Sequence, residues 1–222
     1  MSPPPYPRIP HLVAGRGTDD DLVLPADAVA ALLGAPVLVE EKVDGANVVL
    51  WIEDGRVESA LRSGPGAMDR AGQLGPLRAW AAEHDEALRR VLTGDVALYA
   101  EWLLLTHSSA YDRLPAYLVA LDLWRTATGL LPVGERNAVC ADAGITVPPP
   151  LWTGIPGTMT TLEQLLGPSA WASGPAEGLI VRSLAEPSLR GKLVPAGFRR
   201  LGDDEWRAGR PRNRLAEGVS WH

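Results

Sequence analysis

A chain of 222 residues, 46% hydrophobic and 22% charged, suits one domain or one domain with a small appendage. It holds no apolar run long enough to span a membrane, no basic-then-apolar leader at Met1–Pro5, and one cysteine, Cys140; a transmembrane helix, an intrachain disulfide and a cysteine-based metal site are excluded, and a cytoplasmic protein is expected. The net charge of −6 argues weakly against nucleic acid, yet Leu189 to His222 carries eight basic residues against four acidic, which fits phosphate-backbone contact and fits a solvated basic tail equally well.

Residues 1 to 17 are rich in Pro and Gly and read as an extended arm. Asp27 to Leu33 reads as a short helix and Val37 to Glu41 as a strand. Asn47 to Glu53 and Arg56 to Leu61 flank Asp54-Gly55, a favoured tight turn, and predict a hairpin. Arg62 to Gly66 is a loop. From Leu74 to Leu92 the apolar residues recur at helical spacing, with a break expected near His84. Val96 to Leu105 and Tyr117 to Trp124 are largely apolar strands. Glu135 to Ala143 reads as a helix stopped by Gly144, and Pro148 to Pro150 as a linker. Thr160 and Glu163 have the spacing of a capping box that opens a short helix. Glu177 to Arg182 and Gly191 to Val194 are strands, and Asp203 to Arg210 reads as a last helix. Hairpins with helices inserted between them point to an α+β fold with mainly antiparallel sheets flanked by helices.

One count directs attention to chemistry. Of 21 basic residues only Lys42 and Lys192 are lysines. Arginine stays protonated near neutral pH, whereas a lysine amine can lose its proton and attack an electrophile. Acidic residues gather near Lys42 in sequence (Glu40, Glu41, Asp44) and interrupt apolar strands at Glu101, Asp122 and Glu177. Such a carboxylate is costly to bury unless it is paired, hydrogen-bonded or metal-bound; the alternative is a strand-end group reaching solvent. Carboxylates alone would keep a lysine protonated, so acids around Lys42 make sense if they hold a divalent cation or shape a nucleotide site.

Lys42-x-Asp44-Gly45-x-Asn47 resembles motif I of the covalent nucleotidyltransferases, the superfamily of ATP-dependent DNA ligases, RNA ligases and mRNA capping enzymes. Glu41 to Asn47 as a whole looks most like RNA ligases of the phage type. Later stretches resemble the family's other motifs in order: Arg62-Ser63-Gly64, Ala100-Glu101-Trp102, His107 through Asp122, Glu177 to Arg182, and Arg190 to Val194. The resemblance implies a nucleotidyltransferase (adenylation) domain over residues 1–194 with its N-terminal arm, no OB domain, and a basic C-terminal extension over 195–222. It implies ATP and Mg²⁺ or Mn²⁺ as cofactors and RNA 5′-phosphate and 3′-hydroxyl ends as partners. Lys42 would carry AMP. Glu41 and Asp44 would line the nucleotide pocket with Leu121, which stands where relatives often have an aromatic. Asn47 and Arg62 would contact phosphate or the RNA end. Glu101 would contact ribose or the metal, Glu177 would assist the metal, and Lys192 would bind the α-phosphate. Arg182 and Arg190 are further phosphate candidates. Trp206 with Arg207, Arg210, Arg212 and Arg214 would either stack on RNA or pack into the body.

The expected activity is ATP-dependent joining of RNA ends through a lysyl-AMP intermediate. Two other readings stay open: a nick-joining DNA ligase or GTP-using enzyme, and a non-catalytic module that binds RNA ends. Leu121 and Pro195, where an arginine often follows the last motif, favour the last of these.

Overall fold

A computed structural model describes residues 2–16, 21–62, 69, 72–198 and 209–221, and in it the middle of the chain pairs in nearly the order of its sequence. Strand β2 (Ala46–Glu53) turns at Asp54 and Gly55, both at positive φ, into β3 (Arg56–Leu61). Strands β4 (Val96–Trp102), β5 (Leu118–Arg125) and β6 (Gly129–Leu130) complete a five-stranded antiparallel sheet in the order β3-β2-β4-β5-β6. Alternation along β2 gives the sheet two apolar faces. Val48 and Leu50 join Leu77, Trp80 and Leu88 in one cluster; Val49 and Trp51 join Tyr6, Ala97 and Tyr99 in another.

The helical stretch between β3 and β4 divides as expected. Helix α2 (Leu74–Glu83) ends at His84, and α3 (Asp85–Val91) begins after it. His84 marks the break physically: its Nδ1 lies 2.9 Å from the Trp80 carbonyl and its ring stacks on Trp80. Helix α4 (Val133–Ala143) stops at Gly144 in the left-handed region, φ 72°.

The second sheet gathers distant segments. Its order is β7-β1-β8-β9, with β1 (Val37–Glu41) and β8 (Leu179–Ser183) central and β7 (Pro150–Gly154) and β9 (Arg190–Leu193) outside. Helices α1 (Ala26–Gly34) and α5 (Met159–Glu163) supply Leu32 and Leu162 to its core beside Val37, Val39 and Val181.

Three local expectations shift. The supposed linker at Pro148 to Pro150 runs into β7; proline is tolerated at the first position of an edge strand, where its missing N–H has no partner to lose. Strand β4 ends at Trp102 rather than Leu105, because Leu105 pairs instead with Arg212 and Thr106 N donates to Pro211 O. Helix α5 is capped by Thr158, not Thr160: Thr158 has extended backbone and its hydroxyl accepts from Thr161 N at 3.3 Å.

The two ends of the described chain lie against this body. The arm around His11 bridges to Val23 and Lys192. Residues 209–221 run across the end of β4, where the Asn213 side chain bonds Thr106, Tyr111 N and Leu103 O, and Trp221 meets Trp102 edge-on. Trp206 and residues 203–208 of the expected last helix lie outside the described residues, as do Ser63 to Gly66; Gly209 and Arg210 are not helical. Among the described residues no helix is long and apolar enough to cross a membrane.

Candidate active site

Strand β1 delivers Lys42 to the gap between the two sheets. All five of its residues are buried, and Lys42 N donates to Gly178 O at 2.8 Å just beyond the sheet. The Lys42 ammonium donates to the Glu177 carboxylate, which is 2% exposed. The chain then turns sharply into β2. A Cβ at Gly45 would lie 2.6 Å from Trp102 O and 2.7 Å from Leu103 Cδ2, so only glycine passes here. Gly45 N donates to Glu101 Oε1 at 2.9 Å, and Asn47 Nδ2 donates to Oε2 at 3.2 Å. Motif residues far apart in sequence thus meet near Lys42, Glu177 at its amine and Glu101 at Gly45 and Asn47.

Burial pushes the Glu101 carboxyl up to about 7, and the nearby Lys42 charge and the Asn47 bond only partly oppose it. The folded carboxyl holds its proton more tightly than an unfolded one near 4.5. Its contribution to stability is therefore full below about 4.5 and is lost as pH rises through about 7. Glu101→Gln is expected to melt at higher temperature than wild type at pH 8, by at most about 3 kcal/mol of stability, and to match it near pH 4.5. The Asn47 Oδ1 atom is buried without a partner, so a turned-over Asn47 amide can accept from the new Gln. Thermal melts of both proteins across that pH range check this.

A cavity opens beside these groups. Its polar and charged lining includes Lys42, Asn47, Arg62, Glu101 and Lys192; its apolar lining includes Leu121, Pro148 and Ile180. A second cavity lies beyond, bordered by Glu177, Arg16 and Pro195, and Lys42 and Lys192 border both. Lys192 Nζ donates to Asp21 Oδ1 at 2.8 Å; the same carboxylate meets His11 Nε2 at 3.4 Å and Arg8 at 3.6 Å.

Other candidates occupy different places. Glu41 borders the cavity, but its carboxylate accepts from Ser169 Oγ at 2.5 Å and Ala170 N at 2.8 Å. The Asp44 carboxylate accepts from Ser108 N and Ser109 N, at 2.5 and 2.8 Å, and so holds the loop after β4 instead of facing the cavity. Arg182 reaches the cavity edge, yet its donors go to Glu40 at 2.7 Å, Asp122 at 2.8 Å and Leu121 O at 3.1 Å. Arg190 does not border the cavity. It donates to Asp122 and lies over the Tyr6 ring, 4.9 Å from its centre.

These two arginines belong to a buried network that the sequence did not disclose. Glu40 also accepts from Arg136 of α4, and Asp122 accepts from the Tyr6 hydroxyl. All six side chains are at most 6% exposed. Glu40, Arg182 and Arg190 come from one sheet and Asp122 from the other, so the network joins the two layers beneath the cavity. Burial pushes the Asp122 carboxyl up; Arg182 and Arg190 outweigh it and hold the group below its ordinary value.

Sequence reasoning also missed the wall formed by Tyr6, Pro7, Arg8 and Ile9, which border the first cavity. The only signal was an aromatic and a branched residue in a proline-rich arm. Among the described residues no group of three or more His, Cys, Asp or Glu is placed to hold a metal. The hard carboxylate oxygens of Glu101 and Glu177 nonetheless suit Mg²⁺ or Mn²⁺, which bind through one or two carboxylates and keep several waters.

The RNA ligase family model matches residues 35–194. No curated protein matches the chain. Solved structures of a Naegleria gruberi RNA ligase resemble it: a variant with ATP and Mn (16% identity, TM-score 0.57, 76% of this chain and 52% of that one), and the protein with PPi (15%, TM-score 0.58, 87% and 60%). A variant with AMP and Mn gives a TM-score of 0.53 at 17% identity, over 74% and 51%. The chain spans about half to three-fifths of the length of these proteins, and at such identity the likeness establishes a shared fold.

Proposed function

We propose, from the premise that this chain belongs to the RNA ligase family, that it is an ATP-dependent ligase that joins RNA 5′-phosphate and 3′-hydroxyl ends through AMP carried on Lys42. The observation that supports this most is the position of Lys42, on the rim shared by two cavities, bonded to buried Glu177 and near the chain's other lysine. A nucleotide seated in the first cavity brings its phosphates to the lysine rim, with the apolar lining against the base.

Lys42 Nζ, once unprotonated, attacks the α-phosphorus of ATP; a P–N bond forms and pyrophosphate leaves. Glu177 already accepts from Nζ and is placed to take the proton. Glu177 and Glu101 would hold a divalent cation, which would supply positive charge that favours the neutral amine. Lys192, a compact point charge on the same rim, binds the α-phosphate, and Asn47 and Arg62 hold the phosphates or the RNA end. An RNA 5′-phosphate oxygen then takes AMP from Lys42, and a 3′-hydroxyl oxygen attacks that phosphate and expels AMP.

Incubation with α-labelled ATP and Mg²⁺ or Mn²⁺ is expected to yield a labelled protein band that disappears with added pyrophosphate. Absence of the band with either ion would sink the reading. The same assay with labelled GTP, followed by transfer to RNA or DNA nicks, selects among nucleotide and substrate.

A further inference from the structure

The family match begins at residue 35, yet part of the first cavity is built by residues that precede it. Tyr6, Pro7, Arg8 and Ile9 border it together with Leu121 and Ile180. Their path is fixed at both ends. Upstream, Tyr99 donates its hydroxyl to Pro4 O at 2.7 Å, and the Tyr6 ring lies 4.7 Å from that of Tyr99 while its hydroxyl donates to Asp122. Downstream, Lys192 N donates to Pro10 O at 2.8 Å and Leu12 N donates to Lys192 O at 2.9 Å. Pro5, Pro7 and Pro10 restrict φ along the way, so the span between the anchors is preorganised. Ile9 and Leu121 pack against the same buried cluster.

We propose that the N-terminal arm is a specificity-determining wall of the nucleotide cavity, and that Ile9 contacts the base together with Leu121 and Ile180; this rests on the reading of that cavity as the ATP site. Position 121 carries a leucine, which has no aromatic face, and the arm supplies the apolar surface that completes the slot. Ile9 and Lys192 border the same cavity, and the pairing of the arm with β9 at Pro10 and Leu12 sets the distance between the two.

Replacing Ile9 by Ala removes three carbon atoms from the slot, and methylene-sized losses in apolar pockets cost about tenfold or more in binding. Ile9→Ala is expected to weaken equilibrium binding of ATP, and to raise the ATP concentration for half-maximal adduct formation, by about tenfold. The rate at saturating ATP should stay within about twofold of wild type, as for a contact made equally in ground and transition states. Competition by inorganic tripolyphosphate, which has no base, is expected to be unchanged. ATP binding unchanged in a variant that melts like wild type overturns the proposal. Equal weakening of ATP and tripolyphosphate also overturns it, because the arm would then act only through the phosphates. Ile9→Thr keeps the branched shape, should fold if Ile9→Ala does not, and is expected to weaken ATP binding in the same selective way. Wild type that binds ATP without forming an adduct refutes the catalytic reading, while the binding ratios still decide the role of the arm.

Discussion

Lys42→Arg is expected to form no detectable AMP adduct, a loss of more than about a thousandfold, while the protein stays as stable as wild type. The substitution keeps a cation beside Glu177, a carboxylate that is 2% exposed and would be costly to leave unpaired. What it removes is the accessible neutral state. A guanidinium does not release its proton near neutral pH, so no lone pair reaches phosphorus. Charge and nucleophilicity, combined in Lys42, are thereby separated. Lys42→Ala would abolish the adduct too, but it orphans Glu177, so lost activity could then follow from lost structure. The checks are labelling with α-labelled ATP and a thermal melt. An adduct on the arginine variant would move the nucleophile elsewhere, and Lys192 would be the first residue to examine.

Asp122→Ala is expected to destabilise the fold by about 3–5 kcal/mol, the range for removing one partner of a buried ion pair. For a chain of this size that lowers the melting temperature by about 10 °C. The cause is local. Asp122 bonds Arg182 and Arg190 and accepts from Tyr6, and none of these groups has solvent to turn to. Removing the carboxylate leaves two guanidinium groups without it between the sheets. The deficit should depend on pH. The folded carboxyl lies below its ordinary 3.8, so its stabilisation is present above that value and is lost as pH falls through the folded one. Wild type and variant should therefore converge in acid. Urea denaturation at pH 7 and below pH 3.8 measures this; a deficit that stays constant with pH would argue for a packing defect instead.

The five-stranded sheet was legible because each of its elements signals locally. Asp54-Gly55 encodes the hairpin, the apolar positions from Leu77 to Leu92 encode two helices, and Gly144 ends a third. Lys42, Glu101 and Lys192 were legible for a different reason: glycine and charged residues in fixed order around a rare lysine resemble a family, and the structure brings those residues to one rim. What escaped were arrangements without local signal. Asp122 stood out as an acid in an apolar strand, but nothing nearby named its partners, which lie 60 to 116 residues away in sequence. Arg136 looked like any helix residue until α4 carried it to Glu40. A proline run was read as a linker because proline lacks an N–H, although an edge strand can begin with one. The arm gave no periodicity, since it adds to β9 as a short extended piece rather than as a full strand.

That last pairing has a consequence for the order in which the molecule assembles. The five-stranded sheet links neighbours in sequence and can form early, because short loops cost little entropy to close. The other sheet needs β1, β7, β8 and β9 together, and His11 must find Lys192, a partner about 180 residues further along. At ribosomal rates of roughly 5–20 residues per second, the arm waits on the order of ten seconds or more before β9 exists. Until then Tyr6 and Leu12 have no complete site to bury into, and the cavity beside Lys42 lacks a wall. The rim that places both lysines is therefore finished late, when β9 reaches the arm.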